Sequence, residues 1–320
     1  MQFPLPVLAS AILLLLACSK TETPSPEPSL PAEGFYAAGQ YAQQELAFFR
    51  EIPYSTRPNF SGLQYTSERT RAREQGADTL TIRMDLLVPP NATPDKRQPL
   101  VVFIHGGGFE NGDKAEGIEK GMSYAKAGYV LASINYRLTA NNLATAERRY
   151  KTLVSAEEDT QNAIRFLKAN AARYGVDTAR ICVMGTSAGG ALALVNAIEA
   201  DSRLLRSDFP GFSSKVQAGL STGATLVNEK IGGVSGLFHY DASDSPVLLF
   251  HARPTDSFTG ATWTGNVLPT QTAITASGNE CRIVAQPNMT HTIDMDLGGA
   301  YWPEIKPFLW EKLRLAELRE

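Results

Sequence analysis

Apolar residues along this chain fall into short unbroken runs separated by longer, more polar stretches. Leu100-Val101-Val102-Phe103-Ile104, Tyr129 to Ile134, Arg180 to Met184, Val216 to Ser221, Val247 to Phe250 and Cys281 to Ala285 have the length of strands buried on both faces. Between them lie segments of helical spacing or helix-forming composition, at about Lys114 to Ala127, Ser155 to Tyr174, Ala191 to Ile198 and Pro303 to Leu318. Gly175 is placed to cap the second of these. Strands alternating with helices predict an α/β fold, with a mostly parallel sheet covered on both faces. Ligands of such sheets sit at the carboxyl ends of the strands.

The N-terminal part reads differently. Ala38, Tyr41, Ala42, Leu46 and Phe49 recur at helical spacing and predict an amphipathic helix over Tyr36 to Arg50. Gly62 to Ser67 and Thr79 to Val88 read as two strands, paired antiparallel around the polar segment with Gly76. Pro89-Pro90 stops the second strand.

Met1 to Ala17 carries the run Leu13 to Leu16 and no charged side chain, and reads as a signal peptide. Leu15-Leu16-Ala17-Cys18 resembles a bacterial lipobox, which makes Cys18 the expected lipidation site and the cell envelope, most simply the outer membrane, the expected location. The alternative is an ordinary cleaved signal and a secreted protein. The stretch TETPSPEPSLP at Thr21 to Pro31 cannot pack a core and reads as a tether within 18–33, followed by one globular domain over 34–320. A formal charge of -3 leaves no clustered basic footprint, so nucleic acid is not an expected partner, and the membrane enters only through the lipid anchor.

Two glycine-rich turns fall where chemistry is expected. Gly185-Thr186-Ser187-Ala188-Gly189-Gly190 lies between a strand and a helix, the context of a nucleophile elbow, in which small residues let the chain turn sharply and expose the serine hydroxyl. His105-Gly106-Gly107-Gly108-Phe109 follows the strand at Leu100 to Ile104 directly. Acyl transfer needs donors aimed at the oxygen that becomes negative, and amides in a glycine turn can approach closely enough to supply them.

With these two motifs, NYRL at Asn135 to Leu138, YGVDTARICVMGTSAGG at Tyr174 to Gly190 and PVLLFHARPTD at Pro246 to Asp256, the chain resembles an α/β-hydrolase of the esterase and lipase group. The resemblance runs from about Leu86 to the C-terminus. It is nearest the hormone-sensitive-lipase-like and bacterial feruloyl or acetyl esterase branches, and it implies a serine carboxylester hydrolase with no cofactor and no metal. Ser187 is then the nucleophile, and the amides of Gly107, Gly108 and Ala188 form the oxyanion hole. The chain order of the fold places the base after the acid and after the last strand, which selects His291 over His105, His239 and His251. Asp256, past the strand at Val247 to Phe250, is the expected acid. Asp241 and Asp244 precede that strand and lie at its wrong end. The loop His251 to Phe258 departs from the glycine and valine-proline pattern usual around this aspartate.

In the sheet order of that family Cys182 and Cys281 are on strands that are not neighbours, so no disulfide is expected between them. Asp294 and Asp296 read as surface carboxylates, because no metal-binding spacing accompanies them. Asn288-Met289-Thr290 matches a glycosylation sequon but stands too close to His291 to be used. The spacing from Thr222 to Pro246 leaves no room for a large lid, which implies an open site for a small-molecule or carbohydrate ester with a short acyl group. Phe35 to Tyr65 is the one aromatic segment that could fold over it. A catalytically silent surface binding protein and a lipase with longer acyl preference are the alternatives.

Overall fold

A computed structural model of the chain describes residues 30–58, 64–65, 78–227, 238–286 and 290–318. The anticipated signal segment, Cys18, nearly all of the tether, and Asn288 and Met289 of the sequon lie outside these residues. Among the described residues no helix is long and apolar enough to cross a membrane.

The centre is an eight-stranded sheet in the order β1-β3-β5-β4-β7-β8-β9-β10. These strands are β1 Ala47–Pro58, β3 Thr79–Val88, β4 Gln98–Ile104, β5 Val130–Ile134, β7 Val176–Thr186, β8 Ala218–Thr222, β9 Val247–Ala252 and β10 Cys281–Gln286. From β5 onward every neighbouring pair is parallel, while β1 with β3 and β3 with β5 are antiparallel. Each residue of β4, β5, β8 and β9 is buried, as their continuous apolar runs require.

The helices are α1 Ala115–Lys126, α2 Ala146–Ala169, α3 Ala171–Tyr174, α4 Ala188–Ile198, α5 Leu268–Ala276 and α6 Trp302–Lys312. Helix α2 packs on α4 over one face of the sheet. On the other face Tyr124 of α1 meets Trp302 of α6 edge-on at 6.1 Å. Gly175 follows α3 in the left-handed conformation at φ 63°. Cys182 on β7 and Cys281 on β10 are buried free thiols with two strands between them.

Three expectations fail at the level of local structure. Tyr36 to Arg50 is not a helix: a single 3-10 turn at Gln43–Glu45 leads into β1, which pairs with β3 at the sheet edge. The backbone donors of Tyr36, Gln40 and Tyr41 bond instead to the carbonyls of Ala127 and Lys126 at the C-terminal end of α1, so long-range pairing wins over a weak local helical spacing. The partners of β3 are therefore β1 and β5. Of the Gly62 to Ser67 stretch, only Gln64–Tyr65 (β2) is described, and it pairs with Leu138–Thr139 (β6) in a separate two-stranded ribbon. Finally, α2 begins at Ala146 rather than Ser155, because Thr145 Oγ1 caps it by accepting the amide of Arg148 at 3.1 Å.

Candidate active site

Strand β7 ends at Thr186 and α4 begins at Ala188, leaving Ser187 alone on the turn at φ 53°, ψ −116°. That conformation is strained for a side chain with a Cβ. It is held by packing: a Cβ on Gly185 would fall 2.2 Å from the Gly189 carbonyl oxygen, and one on Gly189 would fall 2.1 Å from that of Ile104. The Ser187 amide donates to Thr222 O at 2.8 Å, tying the turn to the end of β8.

Ser187 Oγ lies 2.9 Å from His291 Nε2, and His291 Nδ1 lies 2.6 Å from Asp256 Oδ2. His291 is reached just after β10. Its loop is pressed onto Gly223, where a Cβ would fall 2.4 Å from His291 O, and is pinned by the Ile293 amide donating to Thr222 Oγ1 at 3.0 Å. Asp256 is fully buried in a turn closed by its own amide donating to Ala261 O at 2.8 Å. Its other oxygen, Oδ1, accepts the amides of Phe258 and Thr259 at 2.8 and 3.0 Å. Burial pushes the pKa of this carboxyl up, but the hydrogen bonds from His291, Thr259 and Phe258 outweigh that and hold it below the usual carboxylate range. The turn reaches this geometry without the sequence pattern usual at such an acid.

The glycine turn after β4 is fixed through its carbonyls. Gly106 O faces His105 Nδ1 at 2.7 Å and accepts the Tyr136 hydroxyl at 3.2 Å, while Gly107 O accepts the amides of Glu110 and Asn111, each at 3.0 Å. In a trans peptide the N–H points opposite to the C=O, so these bonds also set the directions of the Gly107 and Gly108 amides. Gly107 and Gly108 have φ of 99° and 62°, values that glycine tolerates best. Both line the open groove beside Ser187, and Gly108 shares a second cavity with Ala188.

The other candidates are elsewhere. His105 is buried and stacked on Tyr136 at 4.4 Å, and burial pushes its imidazole below its ordinary value. His239 is 81% exposed beside Glu199. The Asp241 amide donates to Asp244 Oδ2 at 2.8 Å, in the turn before β9. Among the described residues no group of His, Cys, Asp and Glu could hold a metal ion.

The BD-FAE family model matches residues 84–228. Isoprenylcysteine alpha-carbonyl methylesterase of Arabidopsis thaliana is 29% identical over 189 residues, 58% of this chain and 40% of that protein. Esterase LipI of Mycobacterium tuberculosis is 33% identical over 110 residues, covering 34% of this chain and 32% of its own. The chain thus spans about two fifths or less of these relatives. Among solved structures, native Thermogutta terrifontis esterase 2 superposes with a TM-score of 0.58 at 22% identity, over 79% of this chain and 94% of that one. The same esterase phosphonylated by sarin gives 0.58 at 22% identity, over 72% and 90%. The chain has the α/β-hydrolase fold.

Two spaces flank Ser187 in this fold. One is a cavity of about 190 Å³ walled by Phe109, Leu143, Leu153, Ala188 and Ala191, with Arg149 and Asn142 among its polar residues. The other is a polar groove of about 410 Å³ with Asn111, Glu116, Lys120 and His291. Phe258, 78% exposed, lines both and lies on the His291 ring at 4.8 Å. None of the described residues of Phe35 to Tyr65 lines either space; Tyr54, for example, is buried at the sheet edge with its hydroxyl on Asn135 O at 2.5 Å. Sequence reasoning missed Phe258, Leu143 and Leu153, because a cavity wall assembled from separate loops and α2 has no local pattern. His251 is buried on β9, and its Nε2 stands 3.9 Å from Asp256 Oδ2, a proximity that no local pattern marks.

Proposed function

We propose that this chain is a serine carboxylester hydrolase acting on short-acyl esters, including esters of carbohydrates. The observation that carries the proposal is the continuous line Ser187 Oγ, His291 Nε2, His291 Nδ1, Asp256 Oδ2 at 2.9 and 2.6 Å. In the first step Ser187 Oγ attacks the ester carbonyl while His291 Nε2 takes its proton, and Asp256 stabilises the resulting imidazolium. The negative oxygen is received by the amides of Gly107, Gly108 and Ala188. The tetrahedral species expels the alcohol, which takes the proton from His291. Water then attacks the acyl-serine, giving its proton to His291, and the acid leaves as Ser187 is reprotonated.

The acyl group belongs in the more apolar cavity, walled by Phe109, Leu153 and Ala191. His291 must reach the leaving oxygen and lines the polar groove, not that cavity, so the alcohol lies on the groove side. Buried Leu153 and Ala191 stand in the wall of the apolar cavity, and a short acyl chain of C2 to C4 fits beside them. The polar groove suits a hydroxylated alcohol. The esterases among the relatives, and a structural neighbour that sarin phosphonylates, support an activated serine. Lipidation at Cys18, and with it attachment to the bacterial envelope, is part of the same proposal and rests on the Leu15 to Cys18 run; Cys18→Ser should move the protein from the membrane to the soluble fraction.

A fluorophosphonate probe tests the activity. It should label the wild type at Ser187 and leave Ser187→Ala unlabelled, with esterase turnover lowered at least ~10³-fold in the folded variant. Absence of labelling in the wild type would instead favour a silent binding protein.

A further inference from the structure

Asp256 is bracketed by two imidazoles. His291 donates to Oδ2 from the solvent side, and His251, five residues upstream on β9 and 1% exposed, presents Nε2 to the same oxygen from inside the sheet at 3.9 Å. That separation is too long for a hydrogen bond, and His251 Nε2 has no hydrogen-bond partner among the described residues. Nδ1 of the same ring lies 3.2 Å from the Ala252 carbonyl oxygen.

This arrangement fixes the tautomer. A carbonyl oxygen has no hydrogen to donate, so a ring nitrogen facing it must carry the proton, which leaves Nε2 as a bare lone pair turned toward a carboxylate. The other tautomer would set a lone pair against Ala252 O instead. The imidazolium alone would satisfy both neighbours, since each nitrogen would then donate. Burial opposes that charge and pushes the imidazole below its ordinary value, although Asp256 pulls it back up; the titratable side chains acting on it are Asp256 and His291.

We propose that His251 is a positioning residue of the triad: its neutral, Nδ1-protonated ring leaves His291 as the one imidazole that donates to Asp256, and its protonation withdraws Asp256 from His291 and stops turnover. The proton added at Nε2 lets His251 close on Oδ2, so the carboxylate divides its charge between two imidazoles. His291 then loses part of the partner that stabilises its own positive charge in the transition state. Acid inactivation accordingly has two protons in it, one on each ring.

The inference rests on the triad proposed above, and one of its tests does not use activity. In protein labelled with ¹⁵N-histidine, the His251 signals at pH 8 should show a protonated Nδ1 and a bare Nε2; a protonated Nε2 overturns the proposal whatever the enzyme does. In kinetics, the wild-type acid limb of log kcat/KM should steepen to a slope of about two, and that of His251→Phe should stay at about one, because the phenyl ring fills the space and never donates. His251→Gln, whose amide donates to Oδ2 at every pH, should lower kcat about tenfold with little change in KM, and its acid limb should also have a slope of about one. A wild-type slope of one that His251→Phe leaves unchanged, or full kcat in folded His251→Gln, overturns it. Failure of Ser187 labelling, by contrast, removes the triad reading itself.

Discussion

Ser187 Oγ and His291 Nε2 stand 2.9 Å apart although 104 positions separate them in the chain. The distance is set by strand ends rather than by either residue. Ser187 is held by its amide on Thr222 O, and the loop carrying His291 is held by Thr222 Oγ1 and Gly223, so one residue pair at the end of β8 fixes both partners.

The acid can be tested by ranking. Asp256 bonds His291 Nδ1, whereas Asp241 is an exposed turn carboxylate and Asp244 lies in the same turn. Asp256→Asn should lower kcat by ~10³ to 10⁴-fold on p-nitrophenyl acetate, since the amide favours the wrong imidazole tautomer. Asp241→Asn and Asp244→Asn should remain near wild type. The opposite ranking would move the acid to the other end of the strand.

The elbow depends on close backbone approach. A Cβ at Gly189 would sit 2.1 Å from the Ile104 carbonyl oxygen, and backbone cannot step aside as a side chain can. Gly189→Ala should cost at least about 3 kcal/mol in denaturant unfolding. Gly211→Ala, with nothing within 4 Å, is the control and should stay within about 0.5 kcal/mol. Equal stability of the two variants would mean that α4 is not seated on β4 as described.

How much of this was legible in the sequence depended on how local each signal was. The buried strands β4, β5, β7, β8, β9 and β10 announced themselves as continuous apolar runs, and the glycines around Ser187 marked a turn that few other residues permit. Edge strand β1 did not, because half of its residues face solvent and its partner β3 comes more than twenty residues later. Helix α5 went unread because Leu268 to Ala276 has little apolar periodicity. Ser187, His291 and Asp256 could be chosen by residue type and chain order. The approach of His251 to Asp256 could not, since the continuous buried run of β9 says only that the ring is inside.

Glu157 offers a test of burial rather than catalysis. It lies within α2 at 3% exposure, takes a hydrogen bond from Gln161 at 3.1 Å, and has its second oxygen unpartnered among the described residues. Burial raises its pKa well above the ordinary carboxylate value, against the hydrogen bond from Gln161. A carboxyl whose folded pKa exceeds its unfolded value of about 4.3 holds a proton the unfolded chain has released, so its contribution to stability is full below that pH and declines as pH rises. Glu157→Gln removes the decline. Melting curves should show the variant gaining on wild type from pH 4 to pH 8, with little difference at pH 4; a constant offset would show that Glu157 keeps the same charge folded and unfolded.

The acyl cavity can be measured with a ruler of substrates. Leu153, 5% exposed, and Ala191, 4% exposed, form its inner wall, while Phe109 and Phe258 form its sides. Each methylene buried there gains roughly 0.8 kcal/mol, about fourfold in kcat/KM, until the wall is reached. If Leu153 and Ala191 stop the chain, kcat/KM on p-nitrophenyl esters should peak at C2 to C4 and fall beyond. Leu153→Ala lengthens the cavity at a stability cost of about 2 to 5 kcal/mol and should move the peak toward longer chains. Alcohol preference should not move with it, because Leu153 does not line the groove on the His291 side. A wild-type peak at C10 or longer would require an acyl path outside this cavity, and an unchanged peak in folded Leu153→Ala would place the acyl chain on the other side of Ser187.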